Sequence, residues 1–567
     1  MATKKRTITK EDKFLDWKIP LLIAITFIAY LPSLKNEFVN WDDIVYIMNN
    51  EMITTFSWEN TRKIFSTFFM GNYHPFILLS FSVDFHFFKF AAPGYHFHNL
   101  VLHIVNSVLV YAVFFHLLKK KANIAITIAL IFALHPMHVE SVAWVSERKD
   151  LLYTAYYLLS ILAYIFYLKK GKNTLLLLSI LLFIFSLLSK GQAVTLPLVL
   201  CLIDYFTARK FNWKVAAEKL PYFALSLVFG IVAVLAQKAN SYLNPLGIPL
   251  SQSIFYAPYG ICIYLVKFLL PIYQTAVYNY PVTLEGGFPF FIYFSPLILI
   301  PTGIVIWKTW KENQYITFGL LLFLATIAPV LQFLPVGWAV AAERYTYIPY
   351  LGLAAIVAIA FWEQRSRATS KIRTLLDVSG MLILLLMVIL TWNRTQVWKE
   401  SVSLWSDVLE KNPKCISAYI NRAYIYNEDK RYDDALKDCT DGLKIDSANF
   451  TLYKNRGIAY GIIGKFDLAL ADYSSAIRYN PEDYDSYLYR GILYTDKFAK
   501  HDSAIADFRK YLGHSPDNLN ATFNMIVANF NKGAYDSARV YCLKVLKLNP
   551  GNEQARQLLE KIDKLSQ

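Results

Sequence analysis

Long apolar runs follow one another through the first 390 residues, near 19–34, 97–118, 123–140, 150–168, 174–189, 193–207 and 219–236, and again near 254–270, 290–307, 315–333, 346–362 and 375–391. Segments this long and apolar satisfy their backbone hydrogen bonds in a bilayer as helices, so the pattern dictates an all-α, polytopic membrane helix bundle. Composition agrees: 55% hydrophobic residues and a mean hydropathy of +0.33 are too apolar for an ordinary soluble domain.

The Lys and Arg residues between runs set the orientation. Met1–Lys18 is short, polar and basic, and no small-residue cleavage site follows the first run, which reads as a retained anchor with a cytoplasmic N-terminus. Every second loop is then basic, through Lys119-Lys120-Lys121, Lys169-Lys170-Gly171-Lys172 and Arg209-Lys210. The run at 254–270 carries Pro258 and Gly260 and is flanked by Pro271. Read as a broken, re-entrant segment, it keeps Lys308, Lys311, Arg365, Arg367, Lys371 and Arg373 cytoplasmic. About eleven crossings then remain, and the C-terminal region lies outside. Residues 35–95, aromatic and only intermittently apolar, read as a large first external loop with helices lying in the interface.

After Trp392 an internal repeat begins. Tyr419, Tyr453 and Tyr487 recur every 34 residues, as do Arg422, Arg456 and Arg490, and Ala423, Gly457 and Gly491. Ala435, Ala469, Ala504 and Ala538 continue the pattern with one insertion, and Pro481, Pro516 and Pro550 close successive units. This is the tetratricopeptide pattern, in which small residues let paired helices approach, aromatics fill the gap and proline ends the second helix. The expected domains are a membrane domain over 1–392 and a repeat solenoid over 393–567, with Trp398–Asn412 as a leading helix.

The net charge of +15 does not mark a nucleic-acid binder. Residues 398–567 carry 24 Lys and Arg against 23 Asp and Glu, whereas residues 1–397 carry 33 against 19, so the excess sits among the apolar runs, where it acts as an orientation signal. Cys201, Cys262, Cys415, Cys439 and Cys542 show no metal or disulfide spacing.

Asp42 and Asp43, in Asn40-Trp41-Asp42-Asp43, lie just past the first run, at the mouth of a hydrophobic bundle where an unpaired acid is costly. In the topology above, His135, His138, Glu140, Glu147, Arg148, Lys149 and Asp150 flank the second external loop, and Glu343-Arg344-Tyr345 precedes a later crossing. Acids, histidines and cations meeting at one face make a candidate site. Singly, each has a plainer reading as a solvated acidic turn, a helix-end His-Pro turn or a snorkelling arginine. A transporter would instead carry charges at the midplane and inverted repeats, and neither is visible.

These motifs, Phe38-Val39-Asn40-Trp41-Asp42-Asp43, Tyr73-His74-Pro75 through Gly94-Tyr95-His96, His135-Pro136-Met137-His138-Val139-Glu140, Arg148-Lys149-Asp150-Leu151-Leu152 and Glu343-Arg344-Tyr345, resemble those of the transmembrane-and-tetratricopeptide-repeat O-mannosyltransferases. The resemblance covers nearly the whole chain. It implies a GT-C glycosyltransferase fold and an enzyme moving mannose or another hexose from a polyprenyl-phosphate carrier to Ser or Thr hydroxyls of exported polypeptides, with inversion. The repeats would bind the acceptor. It also ranks Asp42 as the general base, with Asp43 orienting the acceptor or its partner acid. Arg148, Lys149 and Arg344 would bind the donor phosphate, and His135, His138, Glu140, Glu343 and His74 would complete the donor site. Where the family pattern has Arg-Pro, this chain has His74-Pro75. The lysine-rich style and short repeat array look bacterial, which implies an inner-membrane protein and undecaprenyl phosphate as the lipid. A lipid monophosphate is neutralised by Arg and Lys, so neither a metal nor another cofactor is demanded. The alternatives are a non-enzymatic membrane scaffold for envelope assembly and a ligase transferring a whole lipid-linked glycan.

Overall fold

The computed structural model describes residues 17–244, 247–281 and 289–565. The basic segment from Lys4 to Lys13, on which the cytoplasmic N-terminus was argued, lies outside the described residues. Helices make up nearly all regular structure, and the described strands are a single antiparallel pair, β1 (Tyr278–Asn279) with β2 (Ala339–Ala341). The chain divides into two compact units, Met1–Asp407 and Val408–Gln567.

The first unit is a helix bundle. It contains α1 (Lys18–Tyr30), α2 (Trp58–Ser66), α3 (Pro75–Phe88), α4 (Ala92–Leu117), α5 (Ala122–Leu134), α6 (Val139–Ala143), α7 (Arg148–Lys170), α8 (Asn173–Leu187) and α9 (Leu196–Phe206). Then come α10 (Trp213–Ala239), α11 (Leu250–Leu269), α12 (Leu299–Glu312), α13 (Gln314–Ile327), α14 (Tyr350–Arg367) and α15 (Ser370–Val397). Among the described residues, six helical stretches are long and apolar enough to cross a membrane: Lys18–Lys35, Ala92–Leu117, Val145–Lys170, Trp213–Ala239, Phe290–Glu312 and Ser370–Val397. The pair Ala122–Leu134 and Pro136–Ala143, bent by 56° at His135-Pro136, makes a seventh if it is one broken span. Four apolar helices are shorter: Pro75–Phe88, Asn173–Leu187, Gly191–Phe206 and Gln314–Val330. The expected count of about eleven therefore mixes full-length spans with helices too short to cross unaided.

One local expectation differs from the structure. α11 runs unbroken through Pro258, although it is not among the helices that meet the length and apolarity of a span. Proline removes the backbone donor that the Ile254 carbonyl would otherwise meet, and the neighbouring Phe255 carbonyl accepts from the Ser295 hydroxyl at 2.7 Å. Within residues 35–95, α3 turns one face inward: Ile77, Leu78, Phe81 and Asp84 are buried, the three apolar side chains in a cluster with Tyr46 and Tyr95, while Val83 and Phe87 are exposed.

α13 and α14 meet at a glycine pair. A Cβ added to Gly352 would lie 2.2 Å from the Gly319 carbonyl oxygen and 2.9 Å from the Phe323 nitrogen, so the backbones touch there as small residues permit between membrane helices. Gly352→Ala is expected to force α14 outward and cost about 1–3 kcal/mol. Gly303→Ala, where the added carbon meets nothing within 4 Å, serves as the control. Thermal unfolding of the detergent-solubilised protein reads the difference.

The bundle has two chemically different ends, set by the roughly 33 Å length of α7. At its C-terminal end Lys169 donates to the His116 carbonyl at 2.9 Å, and the basic turns gather there; at its N-terminal end lie the acids and cations described below.

In the second unit, α16 (Ser401–Lys411) leads into it, and helices α17 (Ile416–Glu428) and α18 (Tyr432–Ile445), α19 (Phe450–Ile462) and α20 (Phe466–Tyr479), α21 (Tyr484–Asp496) and α22 (His501–His514), and α23 (Leu519–Lys532) and α24 (Tyr535–Leu548) pair antiparallel before α25 (Glu553–Leu565). Each repeating arginine forks onto an aspartate of its partner helix, Arg422 on Asp438 (2.7 Å), Arg456 on Asp472 (2.8 Å) and Arg490 on Asp507 (2.8 Å). The recurring glycines have a steric reason: a Cβ on Gly457 would sit 2.8 Å from the Tyr473 ring, and one on Gly491 2.7 Å from Phe508.

Candidate active site

The loop after α1 is held in place by its own backbone. Glu37 N–H donates to the Lys399 carbonyl at 2.8 Å and Asn40 N–H to the Ser401 hydroxyl at 2.7 Å, which fixes the turn carrying the acid pair. Asp43 then points inward. It is 1% exposed, one carboxylate oxygen accepts from Val39 N–H at 3.0 Å, and the other accepts from Ser146 N–H at 2.9 Å and from the Ser146 hydroxyl. Three donors leave it little capacity for further chemistry. It stitches the first loop to the turn before α7.

Asp42 points the other way. Its side chain keeps 24% of its surface, and among the described residues its ion-pair partner within 4.0 Å is Lys149. Burial raises the Asp42 carboxyl above the ordinary range, while the Lys149 ammonium opposes this. Burial likewise pushes Asp43 up to about 6 despite the Ser146 and Val39 donors.

Three cations meet on one buried carboxylate beside Asp42. Glu147 receives Lys149 at 3.2 Å, Lys190 at 3.4 Å and Arg344 Nε at 3.5 Å. Each is held from a second side. Lys149 lies over the Tyr46 ring at 4.9 Å, Lys190 reaches Asp150 at 2.8 Å, and Arg344 pairs with Glu140 through its side chain and, at 3.0 Å, its backbone N–H. An aromatic layer adjoins the cations: Trp41 stacks on Trp144 at 4.4 Å, and the Arg344 guanidinium lies 5.4 Å from the Trp144 ring.

Of the residues singled out from sequence, Asp42, Glu140, Glu147, Lys149, Asp150 and Arg344 come together here, with Asp43 behind them. The others do not join. Arg148 is fully buried and consumed, reaching Asp84 at 2.5 Å, Asn99 at 2.7 Å and the Tyr95 carbonyl at 3.1 Å, with Phe81 at 4.7 Å across its face, so it is no phosphate ligand. His135 contacts the Phe268 carbonyl at 3.1 Å and accepts from Met137 N–H at 3.3 Å; His138 contacts the Phe132 carbonyl at 2.8 Å, and their rings pack against Phe132, Phe268, Tyr347 and Tyr350. Both close the bend between α5 and α6 rather than face the cations. Glu343 is held by Arg394 at 3.1 Å and Tyr278 at 3.3 Å. His74 is buried behind Tyr46, its ring 5.5 Å away, with neither ring nitrogen hydrogen-bonded among the described residues. Lys190 was not foreseen. Its sequence signal is a lone lysine between two apolar runs, on the side the charge alternation calls external.

A membrane helix bundle with an acid-and-cation cluster at one end, continued by a helical repeat domain, defines a polytopic membrane protein of the tetratricopeptide class. Residues 416–449, 455–497 and 499–562 each match a tetratricopeptide repeat model. Its curated relatives are protein O-mannosyl-transferases. The chain is 25% identical over 452 residues to Protein O-mannosyl-transferase F38B6.6 of Caenorhabditis elegans, covering 75% of this chain and 62% of that protein. It is 23% identical over 478 residues to Protein O-mannosyl-transferase TMTC3 of Mus musculus, covering 74% of this chain and 50% of that one. Over 185 residues it is 31% identical to Protein O-mannosyl-transferase Tmtc1 of Drosophila melanogaster, 31% of this chain and 21% of that one. The chain thus spans between half and two thirds of the length of the first two relatives.

Proposed function

We propose that the protein is an integral-membrane glycosyltransferase that moves a hexose from a polyprenyl-phosphate donor to Ser or Thr hydroxyls of a polypeptide, with inversion at the anomeric carbon, and that the repeats recruit the acceptor. The observation that carries this reading is the division of labour in the acid pair: Asp43 is saturated by three donors, and Asp42 stays accessible beside Lys149 and the cations gathered on Glu147. The names of its relatives support it. Asp42 takes the proton of the acceptor hydroxyl as the oxygen attacks the anomeric carbon. The bond from that carbon to the phosphate oxygen breaks, and polyprenyl phosphate leaves carrying negative charge, which Lys149, Lys190 and Arg344 stabilise. The repeats and the site stand on the outer side of the membrane in this reading, with the basic turns at the cytoplasmic end.

Glycan analysis of membrane and exported proteins, from cells carrying the wild-type chain or Asp42→Asn at equal levels, tests it. Loss of one specific O-glycan with Asp42→Asn is expected. Glycosylation unchanged by Asp42→Asn and by deletion would make the chain a scaffold.

The raised Asp42 carboxyl has a signed consequence. A base is active when deprotonated, so the acid limb of kcat/KM falls at a pH above the ordinary carboxylate range. Lys149 favours the anion, and Lys149→Met is expected to move that limb to still higher pH. A pH–rate profile of both proteins checks the direction.

A further inference from the structure

At the opposite end of the bundle from Asp42, a cavity of about 470 Å³ opens where the ends of six bundle helices, α4, α5, α9, α12, α13 and α14, come together. Its floor is apolar, made by Leu118, Ile124 and Ile359, all buried, with Phe206 at the side. Its rim carries two cations, Lys121 and Lys311, and two anions, Glu312 and Glu363. Opposite charges this close ordinarily pair, yet among the described residues none of the four has an ion-pair partner within 4.0 Å; the Glu363 carboxylate accepts a long hydrogen bond, 3.4 Å, from the Tyr315 hydroxyl, while its backbone carbonyl accepts from Ser366. The turn presenting Lys121 is itself unusual. Lys119 and Lys120 both adopt left-handed backbone, with φ of 53° and 69°, a costly conformation for residues with side chains that places Lys121 at the start of α5.

We propose that this cavity binds the headgroup of a zwitterionic aminophospholipid, a phosphatidylethanolamine. The ends of membrane helices lie at headgroup depth, where a cavity with an apolar floor and a charged rim meets lipid. The phosphodiester anion is taken by Lys121 and Lys311, the primary ammonium donates to Glu363 and Glu312, and the upper acyl chain lies on Ile124, Ile359 and Phe206. An anionic headgroup without an amine would leave the two glutamates facing the phosphate. A choline headgroup has the positive charge but no N–H to donate to a carboxylate. The site stands apart from the acid and cation cluster, so it does not depend on the proposed transfer reaction.

The test uses the full chain in nanodiscs containing equal amounts of phosphatidylethanolamine, phosphatidylcholine and phosphatidylglycerol with identical acyl chains, released into detergent and weighed by native mass spectrometry. One retained phosphatidylethanolamine per protein, enriched about tenfold over the other two, is expected for charge-assisted contacts at this number. Lys311→Gln combined with Glu363→Gln should erase the enrichment at an unchanged melting temperature. Because Glu363 also accepts from Tyr315, Lys311→Gln alone, an exposed change, is the second variant and should lower it. Equal retention of the three lipids, preference for either of the other two, or enrichment indifferent to these variants would overturn the proposal.

Discussion

Asp42→Asn abolishes transfer on this account, lowering kcat/KM by about 10²- to 10⁴-fold, the range ascribed to a positioned general base, while expression and melting temperature stay those of the wild type. Asparagine fills the same volume beside Lys149 but takes no proton. Asp43→Asn is expected to fail differently. Its carboxylate accepts from Val39 N–H, Ser146 N–H and the Ser146 hydroxyl, and an amide in its place turns an N–H toward one of these donors. The cost is about 1–3 kcal/mol for a buried donor left unpaired, read as a lower melting temperature and less protein, with residual activity per folded molecule. Purified variants assayed for both melting and turnover separate the two. Loss of activity at constant stability in Asp43→Asn, with an active Asp42→Asn, would reverse the assignment.

Arg148→Met is expected to be the most destabilising single change in the first unit, by about 3–5 kcal/mol, because it strands a buried carboxylate. Asp84 is 1% exposed, with Arg148 at 2.5 Å on one oxygen and, among the described residues, only the His98 ring nitrogen, at 2.7 Å, on the other. Arg148→Lys should rescue little, since an ammonium cannot span Asp84, the Asn99 side chain and the Tyr95 carbonyl together. The neighbouring Lys149→Met supplies the contrast: a similar change in charge one residue away, with the protein folded and its pH profile moved. Yield and thermal unfolding of the three variants in one detergent check the ranking. A folded, stable Arg148→Met would show that the buried pair is dispensable.

Arg148 and Lys149 also show where sequence stops speaking. Both stand in one basic-acidic motif, but consecutive residues on a helix point about 100° apart, so one enters the core and the other faces the mouth. A motif names the pair without saying which is which. The histidines fail for a similar reason: His135 and His138 have the chemistry of ligands, and only packing reveals that one ring nitrogen of each is turned onto a backbone carbonyl, that of Phe268 or Phe132. Lys190 was illegible because one lysine between two apolar runs has no local pattern; its partners Glu147 and Asp150 are 43 and 40 residues away in sequence. The repeats were legible almost residue by residue, since each unit packs mainly against its neighbours and the recurring Arg422, Arg456 and Arg490, with Gly457 and Gly491, have a fixed ionic or steric duty. In the membrane unit the apolar runs marked the helices, but Pro258 misled, because α11 continues through it and proline removes only one backbone donor.

The most direct test is transfer by the purified full chain in nanodiscs, supplied with a polyprenyl-phosphate hexose and a Ser- and Thr-containing peptide, with products weighed by mass spectrometry. A peptide heavier by one hexose and polyprenyl phosphate released in equal amount are expected from the wild-type protein, and neither product from Asp42→Asn. A panel of hexose donors left intact by the wild-type protein, while the peptide still binds residues 408–567, would contradict the proposed transfer and leave the chain a membrane-anchored scaffold.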